Sequence, residues 1–224
     1  MPFLAGGRFA LQSLWMEIIV NIAQLLPSFH SETVVRGAPE IRSLEASAFP
    51  AVVLFNGRED QIVIPGNPLS KAREFTLEAL FFPFAEGEEE QRFVHLQNEK
   101  GEDRILLETR LTEDRQHWYG DTIIAAGEQI TFLNDPQKLH PTGAWATMAL
   151  RFANGQMEQW VNRQQELTAP AEYQPWAVGR ISLGQRLNRI SPFAGSLAAL
   201  RFADFPRAPQ DLWQPAQFAL PDPR

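Results

Sequence analysis

Paired carboxylates are the residues by which this chain could catalyse a reaction, since glycosidases place two acids on either side of the scissile bond. The nearest match to such alternating spacing is Glu86-Gly87-Glu88-Glu89-Glu90. This run contains glycine and has no apolar partners, which favours a solvated loop over a catalytic strand. Glu78, Glu108 and Glu158 occur singly on predicted strands. We therefore expect no catalytic residue.

Nucleophiles and metal ligands are also missing by motif. The histidines show no His-x-His or His-Glu-x-x-His spacing; they are His30, His95, His117 and His140. His95 lies in an apolar predicted strand, where an ordinary hydrogen-bonded histidine is more common than a ligand. The chain has no cysteine, and no serine occurs in a Gly-x-Ser-x-Gly elbow. The pattern predicts no cofactor.

Aromatic residues beside polar ones offer a different chemistry, because rings pack on the C–H faces of sugars while polar side chains bind hydroxyls. The richest such cluster is His117-Trp118-Tyr119-Gly120-Asp121, followed by Trp160 near Asn162 and by Trp176 beside Pro175. The predicted ligand-binding residues are Trp118, Tyr119, Asp121, Trp160, Trp176 and Arg180. Core packing is the alternative for each aromatic residue, because Trp and Tyr in a sandwich are commonly buried.

A β-hairpin over residues 143–164 is the clearest structural prediction. Asn154-Gly155 suits a two-residue type I′ turn, since both residues tolerate a positive φ. The register that follows gives chemically sensible pairs on both faces. These pairs are Ala153 with Gln156, Phe152 with Met157, Arg151 with Glu158, Leu150 with Gln159, Ala149 with Trp160 and Met148 with Val161. One face is mainly apolar and is expected to cover a second sheet.

Short strand-like runs alternate with turn signals from Ala51 onward, which is the pattern of a β-sandwich or barrel. Besides the hairpin, the predicted strands cover 51–56, 61–64, 74–82, 92–97, 104–109, 117–124, 130–133, 180–184 and 195–202. No fixed repeat occurs, so solenoids and propellers are excluded.

Residues 8–26 show a different period, with apolar residues three and four apart, and predict an amphipathic helix that Pro27 ends. Arg8 is the only basic residue before the apolar part and Glu17 interrupts it, so we expect neither a signal peptide nor a transmembrane segment. The cytoplasm is the default location. The broad apolar face is expected to be buried, either on its own domain or against a second copy in a homodimer through residues 8–26. A membrane-surface role is the less favoured alternative, because basic residues that would pair with lipid phosphates are nearly absent.

The charge balance narrows the class of partner. Twenty basic residues against 27 acidic residues give a net charge of -7. A surface that neutralises phosphates must be basic, so a nucleic-acid partner is not expected.

The order of several motifs resembles the laminin-G-like branch of the concanavalin A-like lectin/glucanase superfamily. The run from Leu54 to Pro65 is similar to its opening motif, and Glu74 to Phe81 is similar to its next strand, with Leu80 where Trp is usual. Trp145 to Asn162 and Ile181 to Leu197 are similar to its later motifs. One departure is Arg163, which stands where the family has glycine after Val-Asn; it requires another turn type or a costly left-handed residue.

The resemblance implies an all-β, two-sheet antiparallel jelly-roll sandwich, here with the N-terminal amphipathic helix. The expected division is residues 1–49 as helix and connector, 50–213 as the jelly roll and 214–224 as a C-terminal tail. Members often bind Ca²⁺ through an aspartate and loop carbonyls, and the loop aspartates here have no defined ligand spacing. We expect a non-catalytic module that binds a glycan. A protein–protein assembly subunit and a glycosidase or lyase with unrecognised catalytic residues are the alternatives.

Overall fold

Strands make up nearly all of the regular structure in the computed structural model, which describes residues 17–21, 32–44 and 47–224. In chain order, the first strands are β1 (Glu17–Asn21), β2 (Val34–Arg36), β3 (Glu40–Ser43), β4 (Ala51–Asn56), β5 (Gln61–Pro65), β6 (Phe75–Pro83), β7 (Glu90–Asn98) and β8 (Arg104–Leu111). The others are β9 (His117–Ala126), β10 (Gln129–Asn134), β11 (His140–Pro141), β12 (Ala146–Ala153), β13 (Gln156–Val161), β14 (Gln164–Pro170), β15 (Gly179–Leu183) and β16 (Ala194–Ala203). Two single-turn 3-10 helices follow, at Pro209–Asp211 and Pro215–Gln217.

The strands form two antiparallel sheets of eight strands each. Sheet A has the order β14-β13-β12-β6-β16-β4-β3, with β1 paired to β16. Sheet B has the order β10-β9-β8-β7-β15-β5-β2, with β11 paired to β9. This is the all-β, two-sheet jelly-roll sandwich that the strand pattern predicts.

The core lies between the two sheets because alternate residues of each strand point inward. Phe81 of β6 stacks on Phe93 of β7 at a centroid distance of 4.4 Å and meets Trp118 of β9 edge-on at 5.2 Å. All three side chains are wholly buried. Burying a large apolar side chain stabilises the fold by about 1.5–3 kcal/mol, so this aromatic cluster ties sheet A to sheet B.

The predicted hairpin is confirmed at every pair of its register, from Met148 opposite Val161 to Ala153 opposite Gln156. Asn154 and Gly155 have φ values of 52° and 70°, as a type I′ turn requires. The next turn places Asn162 at φ 49° and Arg163 at φ 67°. Arg163, which stands where the family motif has glycine, therefore adopts the left-handed backbone conformation. Its guanidinium donates to the carbonyl of Leu212 at 2.7 Å.

The C-terminal segment covers the outer face of sheet A. Glu78 of β6 and Arg201 of β16 form a buried ion pair there. The second carboxylate oxygen of Glu78 accepts the backbone N–H of Trp213 at 2.8 Å, and Arg201 lies 4.5 Å from the centre of the Trp213 ring. Near the chain end, Trp145 donates to the carbonyl of Pro221 at 2.7 Å. The carboxylate of Glu78 on β6 therefore anchors the C-terminal segment through Trp213.

The predicted N-terminal helix is wrong at residues 17–21, which form β1, paired antiparallel with residues 199–203 of β16. The other neighbour on that side, β4, reaches only residues 194–197 of β16. The rest of β16 therefore needs another strand to satisfy its backbone hydrogen bonds. This tertiary pairing outweighs the local helical pattern of residues 17–21. Glu17 also pairs with Arg207 at 2.9 Å. The remainder of 8–26 lies outside the described residues, and the homodimer through it stays a prediction.

Four further strands have no counterpart in the sequence prediction: β2, β3, β11 and β14. The first two precede residue 50 and join sheets B and A respectively. The division of the chain at residues 50 and 213 stays a prediction. Within the described residues, none of the helices has the length and apolar character needed to span a membrane.

Candidate functional site: the cleft beside Tyr119

A loop over residues 184–191 covers the middle of the outer face of sheet B. Leu187 donates its backbone N–H to Nδ1 of His95 at 3.1 Å. Gln61 donates to the carbonyl of Arg186 at 3.0 Å, and Ser182 donates to the carbonyl of Gln185 at 2.6 Å. His95, Gln61 and Ser182 are therefore buried although they point away from the core. His95 is a hydrogen-bonded histidine, as the sequence indicates.

A charged cluster lies next to this loop on the outer face of β7, β8 and β9. Glu108 accepts from Nε of Arg92 at 2.5 Å, and Asp121 accepts from Nε of Arg110 at 2.7 Å. Glu90 contacts both arginines. Glu108 and Asp121 are 0% and 1% exposed, so neither carboxylate can reach a ligand in this conformation.

Burial shifts the protonation of two groups on this face in opposite senses. Burial raises the pKa of Glu108 to about 7, against the opposing effect of Arg92. Burial also lowers the pKa of His95 to about 3, together with the positive charges of Arg186, Arg104 and Arg92. At neutral pH the imidazole is therefore uncharged, while Glu108 keeps its proton to a higher pH than an ordinary carboxyl does.

The Tyr119 cleft opens on the same side of the sandwich, at the β8–β9 turn. Its volume is about 470 Å³, within the usual range for a small-molecule site. Its lining residues are Glu89, Leu111, Thr112, Glu113, Arg115, Tyr119 and Pro136. They combine an aromatic ring, hydroxyl and carboxylate groups and a guanidinium in one concave surface.

Hydrogen bonds between loops hold the walls of the Tyr119 cleft in place. Arg115 donates from Nη1 to the carbonyl of Gly87 at 2.6 Å, which joins the β8–β9 turn to the acidic loop over 86–89. Gln91 donates to the carbonyls of Glu86 and Glu88 at 3.0 and 2.9 Å. Thr142 donates its hydroxyl to the carbonyl of Arg115 at 3.0 Å. These bonds preform the cleft.

Three of the predicted ligand-binding residues are buried aromatic side chains. Trp118 is wholly covered in the core and donates to the carbonyl of Pro141 at 3.2 Å. Trp160 lies on the outer face of sheet A, 8% exposed, and donates to Glu158 at 2.9 Å. Trp176 joins the core beside Tyr173, at a ring distance of 5.8 Å. The structure places these three tryptophans apart from one another.

The other three predicted residues lie on the outer face of sheet B. Tyr119 and Asp121 are two residues apart on β9; Tyr119 lies opposite Arg110 in the β8–β9 pairing, and Asp121 pairs with the Arg110 side chain. Tyr119 lines the cleft, whereas Asp121 is buried beside it. Arg180 lies on β15 and lines a separate depression with Arg36. Only Tyr119 of the six therefore lines the Tyr119 cleft.

A second cleft of similar volume, about 460 Å³, lies at the other end of β8. Its lining includes Asp103, Gly127, Glu172 and Tyr173. The hydroxyl of Tyr173 is buried without a partner among the described residues. Across the described part of the chain, no three His, Asp or Glu side chains are grouped so that they could hold a metal ion.

Several cleft residues could not be found by motif. Glu89, Glu113, Arg115 and Pro136 come from three separate loops, and only the order of β7, β8, β9 and β10 brings them together. The sequence signal for this cleft is the aromatic and polar cluster that contains Tyr119. The acidic run at 86–90 is exposed for most of its length, as the sequence indicates.

The chain matches no protein-family model, and no curated protein matches it in sequence. Solved structures do share its fold. Domain 4 of AbnA, an extracellular arabinanase from Geobacillus stearothermophilus, in complex with arabinotriose, has a TM-score of 0.56 at 14% identity and covers 80% of this chain and 84% of that one.

Two more structures are similar over nearly their whole length. The CBM40 of the Ruminococcus gnavus IT-sialidase, bound to α2,3-sialyllactose, has a TM-score of 0.53 at 14% identity and covers 79% of this chain and 95% of that one. The heptameric SAP-like pentraxin of Limulus polyphemus has a TM-score of 0.51 at 13% identity and covers 84% of this chain and 92% of that one. At these identities the likeness shows the fold alone, a jelly-roll β-sandwich.

Proposed function

We propose that this chain is a non-catalytic carbohydrate-binding module whose ligand lies in the Tyr119 cleft. The observation that carries the proposal is the position of Tyr119, an aromatic ring on a concave open surface surrounded by hydrogen-bonding side chains. The three buried tryptophans leave Tyr119 as the one aromatic member of the predicted site that lines this cleft.

The chemistry of the cleft suits a saccharide. The ring of Tyr119 gives an apolar face for sugar C–H groups, and Arg115 has N–H groups beyond its bond to Gly87 that can donate to sugar oxygens. Glu89 and Glu113 accept hydrogen bonds from sugar hydroxyls, and such charge-assisted bonds are stronger than neutral ones. Because the loops are tied together, little ordering accompanies binding, which lowers its entropic cost.

The fold comparison supports the same class of ligand. Two of the similar structures are bound to an oligosaccharide, arabinotriose in one and sialyllactose in the other. We also infer, from the order of motifs along the chain, that it belongs to the laminin-G-like branch of the concanavalin A-like superfamily. The run from Leu54 to Pro65 and the hairpin around Asn154-Gly155 are the main support.

A catalytic role is less well supported than binding. Glu108 has the raised pKa of a general acid, but its side chain has no exposed surface. The second candidate is a protein ligand, which one observation favours. On the edge strand β10, Ile130 and Phe132 are 51% and 61% exposed, and they point outward on the same face of sheet B as Tyr119.

Isothermal titration with a panel of neutral and acidic oligosaccharides tests the proposal. Tyr119→Ala should weaken the binding of any ligand found by about tenfold or more, because it removes about 1.5 kcal/mol or more of ring burial. Tyr119→Phe keeps the ring and should retain most of the affinity. Phe132→Ala is the matched control, since Phe132 lies about 13 Å along the strand direction from the cleft.

Two results would overturn the proposal. One is the failure of the wild-type protein to bind any saccharide in the panel. The other is unchanged affinity in a folded Tyr119→Ala protein, with melting temperature as the check of folding. Loss of binding in Phe132→Ala alone would instead place the ligand on the β10 surface.

A further inference from the structure

The charged residues that line the Tyr119 cleft affect which ligands it can bind. The inference drawn from them rests on the proposed function, carbohydrate binding in this cleft. Two carboxylates, Glu89 and Glu113, and one guanidinium, Arg115, line the cleft. The adjoining loop adds Glu86 and Glu88 as exposed acids. A ligand in the cleft therefore lies among more negative than positive groups.

The neighbouring arginines are already engaged by the protein. Arg110 holds Asp121 from Nε at 2.7 Å and Glu90 from Nη2 at 3.0 Å. Arg115 donates from Nη1 to the carbonyl of Gly87 at 2.6 Å. A carboxylate on a ligand would have to compete with buried Asp121 and with Glu90 for Arg110, or to bind the remaining N–H groups of Arg115 in a cleft that Glu89 and Glu113 also line.

We propose that the cleft selects uncharged saccharides and discriminates against sialylated or uronic-acid-bearing ones. Carboxylates act only as acceptors, so Glu89 and Glu113 match the hydroxyl donors of a neutral sugar. A ligand carboxylate offers them no proton and adds like-charge repulsion. Of the two ligand chemistries held by the similar structures, neutral arabinotriose and anionic sialyllactose, the first fits this cleft.

Pairs of saccharides test the proposal, each pair consisting of a neutral member and a member that carries an acidic sugar. Suitable pairs are lactose with 3′-sialyllactose and galacto-oligosaccharide with galacturono-oligosaccharide, and arabinotriose serves as an additional neutral probe. The neutral member should bind roughly fivefold or more tightly than its acidic partner, the factor expected for one like charge at about 4 Å in water. The difference should shrink in about 1 M salt, where the screening length is about 3 Å.

Charge-neutral variants connect the discrimination to the named residues. Glu89→Gln and Glu113→Gln, singly and together, should reduce the preference for the neutral member. Both residues are exposed, and the hydrogen bond that Glu89 accepts from the backbone N–H of Leu111 uses its backbone carbonyl, so both variants are expected to fold. Glu128→Gln, an exposed acid in the β9–β10 turn, is the control that should leave the preference unchanged.

The outcomes separate this inference from the proposed function. Equal or tighter binding of the acidic members would overturn the inference while leaving carbohydrate binding in place. Absence of binding to every saccharide would overturn both. An unchanged preference in the Glu89→Gln, Glu113→Gln double variant would also overturn the inference, since the discrimination would then come from other groups.

Discussion

Glu108 on β8 and Asp121 on β9 lie directly opposite each other, and both are buried. Glu108 accepts a hydrogen bond from Arg92 through one carboxylate oxygen, and Asp121 accepts one from Arg110 in the same way. The other oxygens, Oε2 of Glu108 and Oδ1 of Asp121, have no partner among the described residues. Like charges directly opposite each other destabilise a sheet. A proton on Glu108 relieves that repulsion, which agrees with its raised pKa.

The raised pKa of Glu108 predicts a specific dependence of stability on pH. The folded protein holds the proton up to about pH 7, whereas an unfolded carboxyl releases it near the ordinary value of 4.5. The stabilising effect of this proton is therefore complete below about pH 4.5 and is lost as the pH rises through about 7. It amounts to as much as about 3 kcal/mol. His95 acts in the opposite sense, because its lowered pKa costs stability as the pH falls below about 6.5.

Urea unfolding of wild-type and Glu108→Gln protein at pH 5 and pH 8 isolates the contribution of Glu108. The stability of the variant relative to wild type should improve between pH 5 and pH 8, since only the wild type loses a proton. Glu128→Gln, at an exposed turn position, is the control and should show the same difference at both pH values. A pH-independent difference for Glu108→Gln would contradict the assignment.

The turn at Asn154-Gly155 should tolerate asparagine and reject a β-branched residue at position 155. A Cβ at Gly155 meets no atom within 4 Å, so any penalty comes from the backbone, whose φ is 70°. Gly155→Val should lose about 1–3 kcal/mol of stability, because a β-branched residue resists the left-handed region. Gly155→Asn should lose less, because asparagine adopts that region more readily. Equal melting temperatures for Gly155→Val and wild type would show that the backbone strain is absent.

The ion pairs Glu78–Arg201 and Glu158–Arg151 of sheet A should differ in their contribution to stability. Glu78 is 1% exposed and pairs with Arg201, so Glu78→Gln leaves buried Arg201 with only the longer carboxylate contact to Glu17 at 3.5 Å and should cost about 3 kcal/mol. Glu158 pairs with Arg151 at 2.6 Å in a partly exposed position, and Glu158→Gln should cost about 1 kcal/mol or less. Urea unfolding measures both. Similar losses in the two variants would show that Glu78 does not anchor the C-terminal segment as described.

The strands in which apolar and polar residues alternate could be predicted from the sequence, and so could the register of the β12–β13 hairpin. The pairs from Met148–Val161 to Ala153–Gln156 follow once the turn is known, because a two-residue type I′ loop fixes the register. β14 could not be predicted in this way, since four of the seven residues in Gln164–Pro170 are polar and none is fully buried. β1 could not be predicted for another reason. Its extended conformation depends on pairing with the edge of β16, and the local pattern of apolar residues carries no information about that edge.

The candidate site was predictable only in part. Tyr119 was chosen because it stands in an aromatic and polar cluster, and it lines a cleft. The adjacent Trp118 was chosen for the same reason and is buried, because neighbouring residues of a strand point to opposite faces. Glu89, Glu113 and Arg115 meet Tyr119 through the order of the strands, which the chain does not display along its length.

The location of a bound saccharide is the most direct test of the central claim. Backbone amide chemical shifts should be mapped during titration with the neutral saccharide that binds most tightly. We expect the largest changes at residues 86–90, 111–116, 119 and 135–138, which form the walls and floor of the Tyr119 cleft. Changes confined to the surroundings of Arg180, or to the second cleft around Tyr173, would contradict the account, as would a titration that moves no resonance.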